Sequence, residues 1–304
     1  MPSAGNTMLR GQFTDLFASR LPYIDEILFE NFDAPTLTYP EVFNVRDSMR
    51  AYEEITGVTG FSQFSKKPEA QKVETDKMLQ AYDKRFTHET WGKMALVSFE
   101  AMEDDIDGVI TSILPPMARA ARNTIETELY SLYNNAFGTT TTPDGQALCA
   151  NSHPLVGGGT FDNLITGDFA QGTLEDALNI YSGMKDERGQ LIDAMGEIIL
   201  AHPNSRWRIE EVLKSQLRSD TADNAVNVIN QLGLRPVYSK YLTDEGAWFL
   251  LSSPDKHRNI IYWRRDPFSD SSLDFDTRSM KIAMFFRLSH GSADWRGTVG
   301  SAGD

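Results

Sequence analysis

The clearest periodicity in the chain lies between residues 103 and 135. Met117, Ala121, Ile125, Leu129 and Leu132, with Ala118 and Tyr133 beside them, recur every three or four residues and define one apolar helical face. Glu103, Asp104, Asp105 and Asp107 stand where the free N–H groups and positive dipole end of a helix favour carboxylates. Pro115 and Pro116 interrupt the stretch, which predicts a short acidic segment and then a second helix, opened by proline, running to about Asn135. A helix with one continuous apolar stripe needs a surface to lie on, so this one reads as a strut.

Later segments mix helix and strand patterns. Thr173, followed by Glu175 and Asp176, predicts a capped helix whose apolar face is Leu174, Ala177, Leu178, Tyr181 and Met184, with Gly189 beyond its end. Glu197 to Pro203 reads as a short buried strand stopped by proline. A helix from Ser205 carries Ile209, Val212, Leu213 and Leu217, and strand edges follow at Val226–Ile229 and Arg235–Tyr238. Ala247–Leu251, Asn259–Trp263 and Met280–Leu288 are rich in aromatic and branched residues and predict strands. The order is α+β without a regular βαβ rhythm.

Two segments lack the means to stand alone. Residues 1 to about 50 show no sustained period apart from a short helix near Gln12 to Arg20, yet carry Phe13, Phe17, Phe29, Phe32 and Phe43 among Pro22, Pro35 and Pro40. An extended arm of this kind buries too little surface to offset its ordering entropy unless its aromatics lie on another surface. From Glu54 to about His88 the chain is polar, broken by Gly57, Gly60 and Pro68, with Lys66 and Lys67 at the middle and strand-like flanks. It reads as a long two-stranded excursion, and an isolated hairpin is marginal in water, so support from elsewhere is expected, which an adjacent subunit could supply; a disordered surface loop is the competing reading.

Composition narrows the class. With 304 residues, 40% of them hydrophobic, the chain can bury a core, and no segment approaches the roughly 18 apolar residues of a membrane span. The start shows no signal-peptide pattern, so a soluble, unsecreted protein is expected. Cys149 is the single cysteine, which excludes an intrachain disulfide and a multi-thiolate metal site and fits a reducing cytoplasm. A net charge of −14 argues against a sequence-neutral grip on nucleic acid. Residues 101–200 hold 15 acidic and 4 basic side chains, whereas residues 201–304 hold 14 basic and 13 acidic. Plain solubility accounts for that imbalance, with attraction between subunits as the sharper alternative.

Candidate chemistry is sparse. The histidines at 88, 153, 202, 257 and 290 have no i, i+4 pair, and His153 and His202 each precede a proline, which favours turn or strand-end roles over catalysis. No Gly-x-Ser-x-Gly elbow, phosphate loop or Gly-x-Gly-x-x-Gly fingerprint occurs, and Gly157–Gly159 reads as a turn. Neither a cofactor nor a metal site is expected. A hydrolase using His153 or His202 with a nearby carboxylate stands as a rival, and it requires a concave pocket around the base.

The order of parts carries more than any single motif. An arm, a long hairpin, an acidic entry into a strut helix, an α+β body and a returning terminal strand resemble the major capsid protein of tailed bacteriophages. Asp144-Gly-Gln-Ala-Leu-Cys149 with Ser152-His153-Pro154, then Ala247-Trp-Phe-Leu-Leu251 and Asp294-Trp-Arg-Gly297, resemble the Mu-like prophage major head subunit branch of that family.

The resemblance implies an HK97-like capsid fold. Its parts would be an N-terminal arm at 1–54, an E-loop hairpin at 55–90, a P-domain with a long spine helix at 91–160, an A-domain at 161–270, and a P-domain return strand at 271–304. It further implies a homo-oligomer of hexamers and pentamers closing into an icosahedral shell. That shell would enclose double-stranded DNA without specific binding and without a membrane, assembling in the host bacterial cytoplasm to become part of the virion. Portal, scaffolding protein and a cement protein are the implied partners; the chain lacks the long N-terminal scaffolding segment of some relatives, so a separate scaffold is expected. Phe13, Phe17 and Phe32 of the arm, and Phe61, Phe64, Lys66 and Lys67 near the hairpin tip, are the expected intersubunit contacts. Some relatives crosslink an E-loop lysine. Lys66, Lys67, Lys72 and Lys77 lie in that region, but no motif here matches the acceptor asparagine or the assisting glutamate, so no crosslink is expected. An encapsulin-like nanocompartment shell shares the fold and is the alternative within it.

Overall fold

The computed structural model describes residues 26–30, 32, 37–73, 75–217, 226–274, 277 and 279–303. Phe13, Phe17 and the helix expected near Gln12–Arg20 lie outside the described residues. In chain order, strands β1 (Asn44–Asp47), β2 (Tyr52–Val58), β3 (Gln80–Thr87) and β4 (Glu89–Val97) precede a long helix, α1 (Phe99–Asn134). Short strands β5 (His153–Pro154), β6 (Thr160–Phe161) and β7 (Leu164–Ile165) lead into α2 (Gln171–Ser182). Then come β8 (Ile198–Ala201), α3 (Arg206–Lys214), β9 (Arg235–Tyr238), β10 (Trp248–Leu251), β11 (Asn259–Leu273), β12 (Met280–Ser292) and β13 (Thr298–Ser301).

The strut is one helix of 36 residues, not two, and Pro115 and Pro116 lie inside it. Each proline removes an N–H donor and costs a helix interior about 3 kcal/mol. Tertiary burial overrides that cost, because Leu114, Met117 and Ala118 are buried on both sides of the pair and hold the helical register. The start also differs from expectation: Ser98 Oγ accepts the Ala101 N–H at 3.3 Å, so capping falls before the acidic cluster, and Glu100 is the carboxylate of the first turn.

The described residues fall into two compact units. The first draws on residues within 1–37, 89–125 and 265–287. Here β12 lies between β11 and β4. Trp91 stacks on Phe286 at 5.6 Å, and Phe268 meets Phe285 at 5.7 Å with Arg265 over the Phe268 ring. Among the described arm residues Phe32 is only 7% exposed. Expected at a contact between subunits, it finds its cover within its own chain.

The second unit holds residues 38–88, 126–264 and 288–304. Its five-stranded sheet has the order β7-β13-β10-β8-β9, with β10 antiparallel to both β8 and β13 and β9 parallel to β8. All four residues of β8 and of β10 are buried, as their unbroken apolar runs require. Tyr133 of α1 packs on Phe249 at 5.1 Å and on Phe43 at 5.2 Å, and its hydroxyl accepts Asn259 Nδ2–H. Buried Glu126 accepts the Thr38 N–H at 2.7 Å and its hydroxyl at 3.0 Å. Residues 38–47 are therefore integrated in this unit, including β1, which pairs in parallel with the opening of β11.

Two further expectations change locally. Thr173 is not the cap residue but sits at the third helical position of α2, where its hydroxyl accepts the Ala170 N–H at 2.9 Å. Val226–Ile229 is not a strand: Val226 forms one bridge to Leu217, and Ile229–Leu232 is a single turn of 3₁₀ helix. Buried Asn227 is the cause, since its amide donates to Val212 and Ser215 carbonyls and its Oδ1 accepts the Ile229 N–H, replacing a strand ladder.

Candidate assembly surface

The excursion is a real hairpin with a long open loop. Strands β2 and β3 pair antiparallel from Tyr52↔Thr87 to Val58↔Gln80, with an irregularity between Thr56 and Val58. Gly57 makes this possible: a Cβ there would stand 2.8 Å from the Tyr82 carbonyl oxygen, closer than real contacts allow. The hairpin ends at buried Thr59, whose N–H donates to Leu79 O while its Oγ1 accepts the Leu79 N–H, each at 2.9 Å. Its root rests on a small core of Phe86, Ile260 and Tyr262.

Beyond Thr59 the loop has polar order but no apolar core. Asp76 Oδ2 accepts both the Ser62 N–H at 2.6 Å and the Ser62 hydroxyl at 2.8 Å, and Oδ1 accepts the Lys77 N–H. The Ser62 N–H first, and then the other bonds, hold the Asp76 carboxyl down at about 2, so it stays charged. One carboxylate thus ties together two limbs of the loop that are 14 residues apart. Between them runs a cleft of about 490 Å³ lined by Phe61, Phe64, Lys66, Lys67 and Val73 among others. Phe64 is fully exposed, Phe61 is 56% exposed, and Val73, Met78 and Leu79 are each more than half exposed. Lys66 and Lys67 are exposed beside them. Phe61, Phe64 and Val73 line this cleft together, an exposed apolar cluster that singly scattered surface hydrophobes do not explain.

The loop is also tied to the body of its own unit, a contact the sequence did not suggest. Arg188, in the turn after α2, pairs with Asp76 at 3.1 Å and donates to the Lys77 carbonyl, and Gln190 donates to the Phe61 carbonyl. The turn itself is set by Asp186, whose Oδ1 accepts the Arg188 and Gln190 N–H groups at 2.8 Å. The expectation that the excursion gains its support from a neighbour is therefore corrected in part: polar support comes from the same chain, while the apolar side chains remain more than half exposed. Gly189 was the one visible signal, marking a turn without saying what the turn would hold.

The motif residues quoted from the sequence meet in a different place, and it is a structural one. His153 is fully buried, with Nδ1 2.7 Å from Asp144 Oδ2 and Nε2 3.0 Å from Asn163 Oδ1. Asn163 donates to the Leu148 and Thr298 carbonyls and accepts the Ala150 N–H, so its oxygen faces the ring. Burial pushes the Asp144 carboxyl up, but hydrogen bonds from His153, Thr142 and the Gln146 N–H together hold it below the usual carboxylate range. The His153 ring stacks on Trp295 at 4.5 Å, Phe161 stacks on the same indole at 5.3 Å, and Arg296 lies over it. Both ring nitrogens of His153 are committed and no solvent reaches them, so it cannot serve as a catalytic base. His202 has its Nδ1 occupied by the Asn204 N–H, as a cap. The hydrolase rival loses His153 as a base, and His202 serves as a cap.

With a non-catalytic core cluster and a bare apolar loop in view, comparison with known proteins decides the class. A family model described as phage capsid protein matches residues 81–301. The chain belongs to the phage capsid protein family. As a member of that family it is a phage capsid protein, a structural subunit and not an enzyme. Its fold is shared with solved capsid structures at low identity. The capsid of Cyanophage P-SCSP1u matches with a TM-score of 0.59 at 10% identity, covering 88% of each chain. A Microbacterium phage Oxtober96 structure matches with a TM-score of 0.55 at 11% identity, over 86% of this chain and 89% of that one. The procapsid of bacteriophage JBD30 matches with a TM-score of 0.52 at 16% identity, over 95% of this chain and 76% of that one. No curated protein matches the chain. The family match does not favour the nanocompartment alternative. As a phage capsid protein, the chain is a virion component. Among the described residues no helix is long and apolar enough to cross a membrane.

Proposed function

We propose that this capsid protein is a head subunit of the Mu-like branch, assembling as hexamers and pentamers into an icosahedral shell around double-stranded DNA. In this reading residues 55–90 are the E-loop, 91–160 and 271–304 the P-domain, 161–270 the A-domain and 1–54 the arm. Phe61, Phe64, Lys66 and Lys67 are the contacts made on the adjacent subunit, and Phe13 and Phe17 take the same role from the arm. The observation that carries the proposal is the mismatch between a densely packed body and a loop on which Phe64 is fully exposed and Phe61, Val73, Met78 and Leu79 are more than half exposed. Covering them on a neighbour yields about 1.5–3 kcal/mol for the fully exposed Phe64 and roughly half that for each of the others, and an obligate shell contact repeats that gain at every subunit. The finer family placement rests on the Asp144–Cys149, Ser152–Pro154, Ala247–Leu251 and Asp294–Gly297 motifs. A portal, a scaffolding protein and a cement protein complete the proposed partners, with assembly in the host bacterial cytoplasm.

Substituting Phe64 by Asp tests the reading. The isolated subunit should keep its thermal midpoint, since Phe64 touches no core, while the yield of shells counted by electron microscopy should fall at least tenfold. Undiminished shell yield would show that the loop is not a contact.

A further inference from the structure

Arg188 and Gln190 hold the loop by its polar groups only. The ion pair with Asp76, the bond to the Lys77 carbonyl and the bond from Gln190 to the Phe61 carbonyl all fall at the loop's base, on both of its limbs. Asp76 in turn reaches Ser62 across the loop, so Arg188, Asp76 and Ser62 form one chain of charge-assisted bonds. The Arg188 and Asp76 side chains are largely shielded from solvent, 18% and 28% exposed, which lessens screening of the pair. Throughout this arrangement Phe64 stays fully exposed and Phe61, Val73, Met78 and Leu79 stay more than half exposed. A contact that locked the loop away would cover those side chains. This one leaves them all presented and restricts only the backbone that carries them.

We propose that Arg188, assisted by Gln190, is a positioning residue that preorganises the loop 59–79 on the unassembled subunit, presenting its apolar face to a second copy of this chain. The physical gain is entropic. A loop of about 20 residues anchored only at its hairpin end must be ordered at the moment of docking, and a loop already held at its base loses less freedom then. The inference rests on the reading of this loop as the intersubunit contact, and it adds the claim that the subunit prepares that contact before meeting its partner.

The test compares Arg188→Ala, Arg188→Lys and Phe64→Asp on the purified full-length subunit, by light scattering for assembly and by limited proteolysis for loop order. Arg188→Ala should leave the thermal midpoint of the body within a degree or two, raise the rate of cleavage between residues 60 and 79 at least fivefold, and slow assembly by a similar factor. Arg188→Lys retains the charge but not the forked reach to Asp76 and the Lys77 carbonyl, and should fall between Ala and the parent. If Arg188→Ala assembles as fast as the parent, or faster, the preorganising role is overturned. Phe64→Asp separates the two claims. When it blocks assembly and Arg188→Ala does not, only the preorganisation fails; when it assembles normally, the loop is not the contact and both fall.

Discussion

At the residue scale the most consequential side chains are buried polar groups. The Asn163 side chain makes four bonds, three within residues 148–153 and one to Thr298, and His153 sits between it and Asp144 with its face against Trp295. The resemblance quoted Asp144, His153 and Trp295 as pieces of separate motifs. That they form one cluster was not legible, because nothing in the sequence relates the run holding Asp144 and His153 to Trp295, and Asn163 belonged to no motif at all. Two other histidines set the response to acid. Burial lowers His257 to about 4, and burial followed by the nearby Lys84 charge lowers the partly buried His290 to about 4. In the unfolded chain each titrates near 6.5, so the unfolded state takes up more protons in between. The stability they permit is complete above pH 6.5 and is lost progressively as pH falls toward 4. At pH 5 the loss from His257 is about 2 kcal/mol, and that from the less buried His290 is smaller. Denaturant midpoints of unassembled subunits at pH 7 and pH 5 check this: His257→Gln should show a visibly smaller difference between the two pH values than the parent.

At the scale of elements, the long helix separates local preference from tertiary control. Its apolar face was readable, and Met117, Ala118, Ile125, Leu129, Leu132 and Tyr133 are all buried. Its continuity was not, since two adjacent prolines argue for a break and only packing at Leu114, Met117 and Ala118 outweighs them. One helix and two helices predict opposite outcomes for Pro116→Ala. At the start of a second helix the proline is favourable and its loss costs stability. Inside a single helix, as here, alanine restores an N–H donor at an exposed position and should raise stability by about 1 kcal/mol or more, after allowing for the freer unfolded chain. Urea unfolding of the variant decides between them. The hairpin shows the same division: strand-like flanks were visible, while the irregularity at Gly57 and the anchoring turn at Arg188 depended on partners 25 and 112 positions away.

At the scale of the whole molecule, charge bears on cargo. In the proposed shell, a net charge of −14 per subunit would repel packaged DNA and leave a genome free to move in and out. Assembled shells are expected to show no measurable DNA binding at about 10 mM salt, where screening extends over roughly 30 Å and weak attraction would be most evident. Filter binding with linear duplex checks this, and tight retention would contradict a repulsive lumen.

The sequence by itself determined which stretches are apolar, where the principal helical face and most strands lie, and that no catalytic constellation is spelled out. Periodicity and composition carry those facts because they follow from each residue's own hydrophobicity and backbone preference. Tertiary structure alone decided that the prolines stay inside one helix, that Phe32 and Phe43 are covered at home, that His153 is a sealed core residue, and that Arg188 steadies the loop. Each of these depends on contacts between residues far apart in the chain, and long-range contacts leave no local pattern to read.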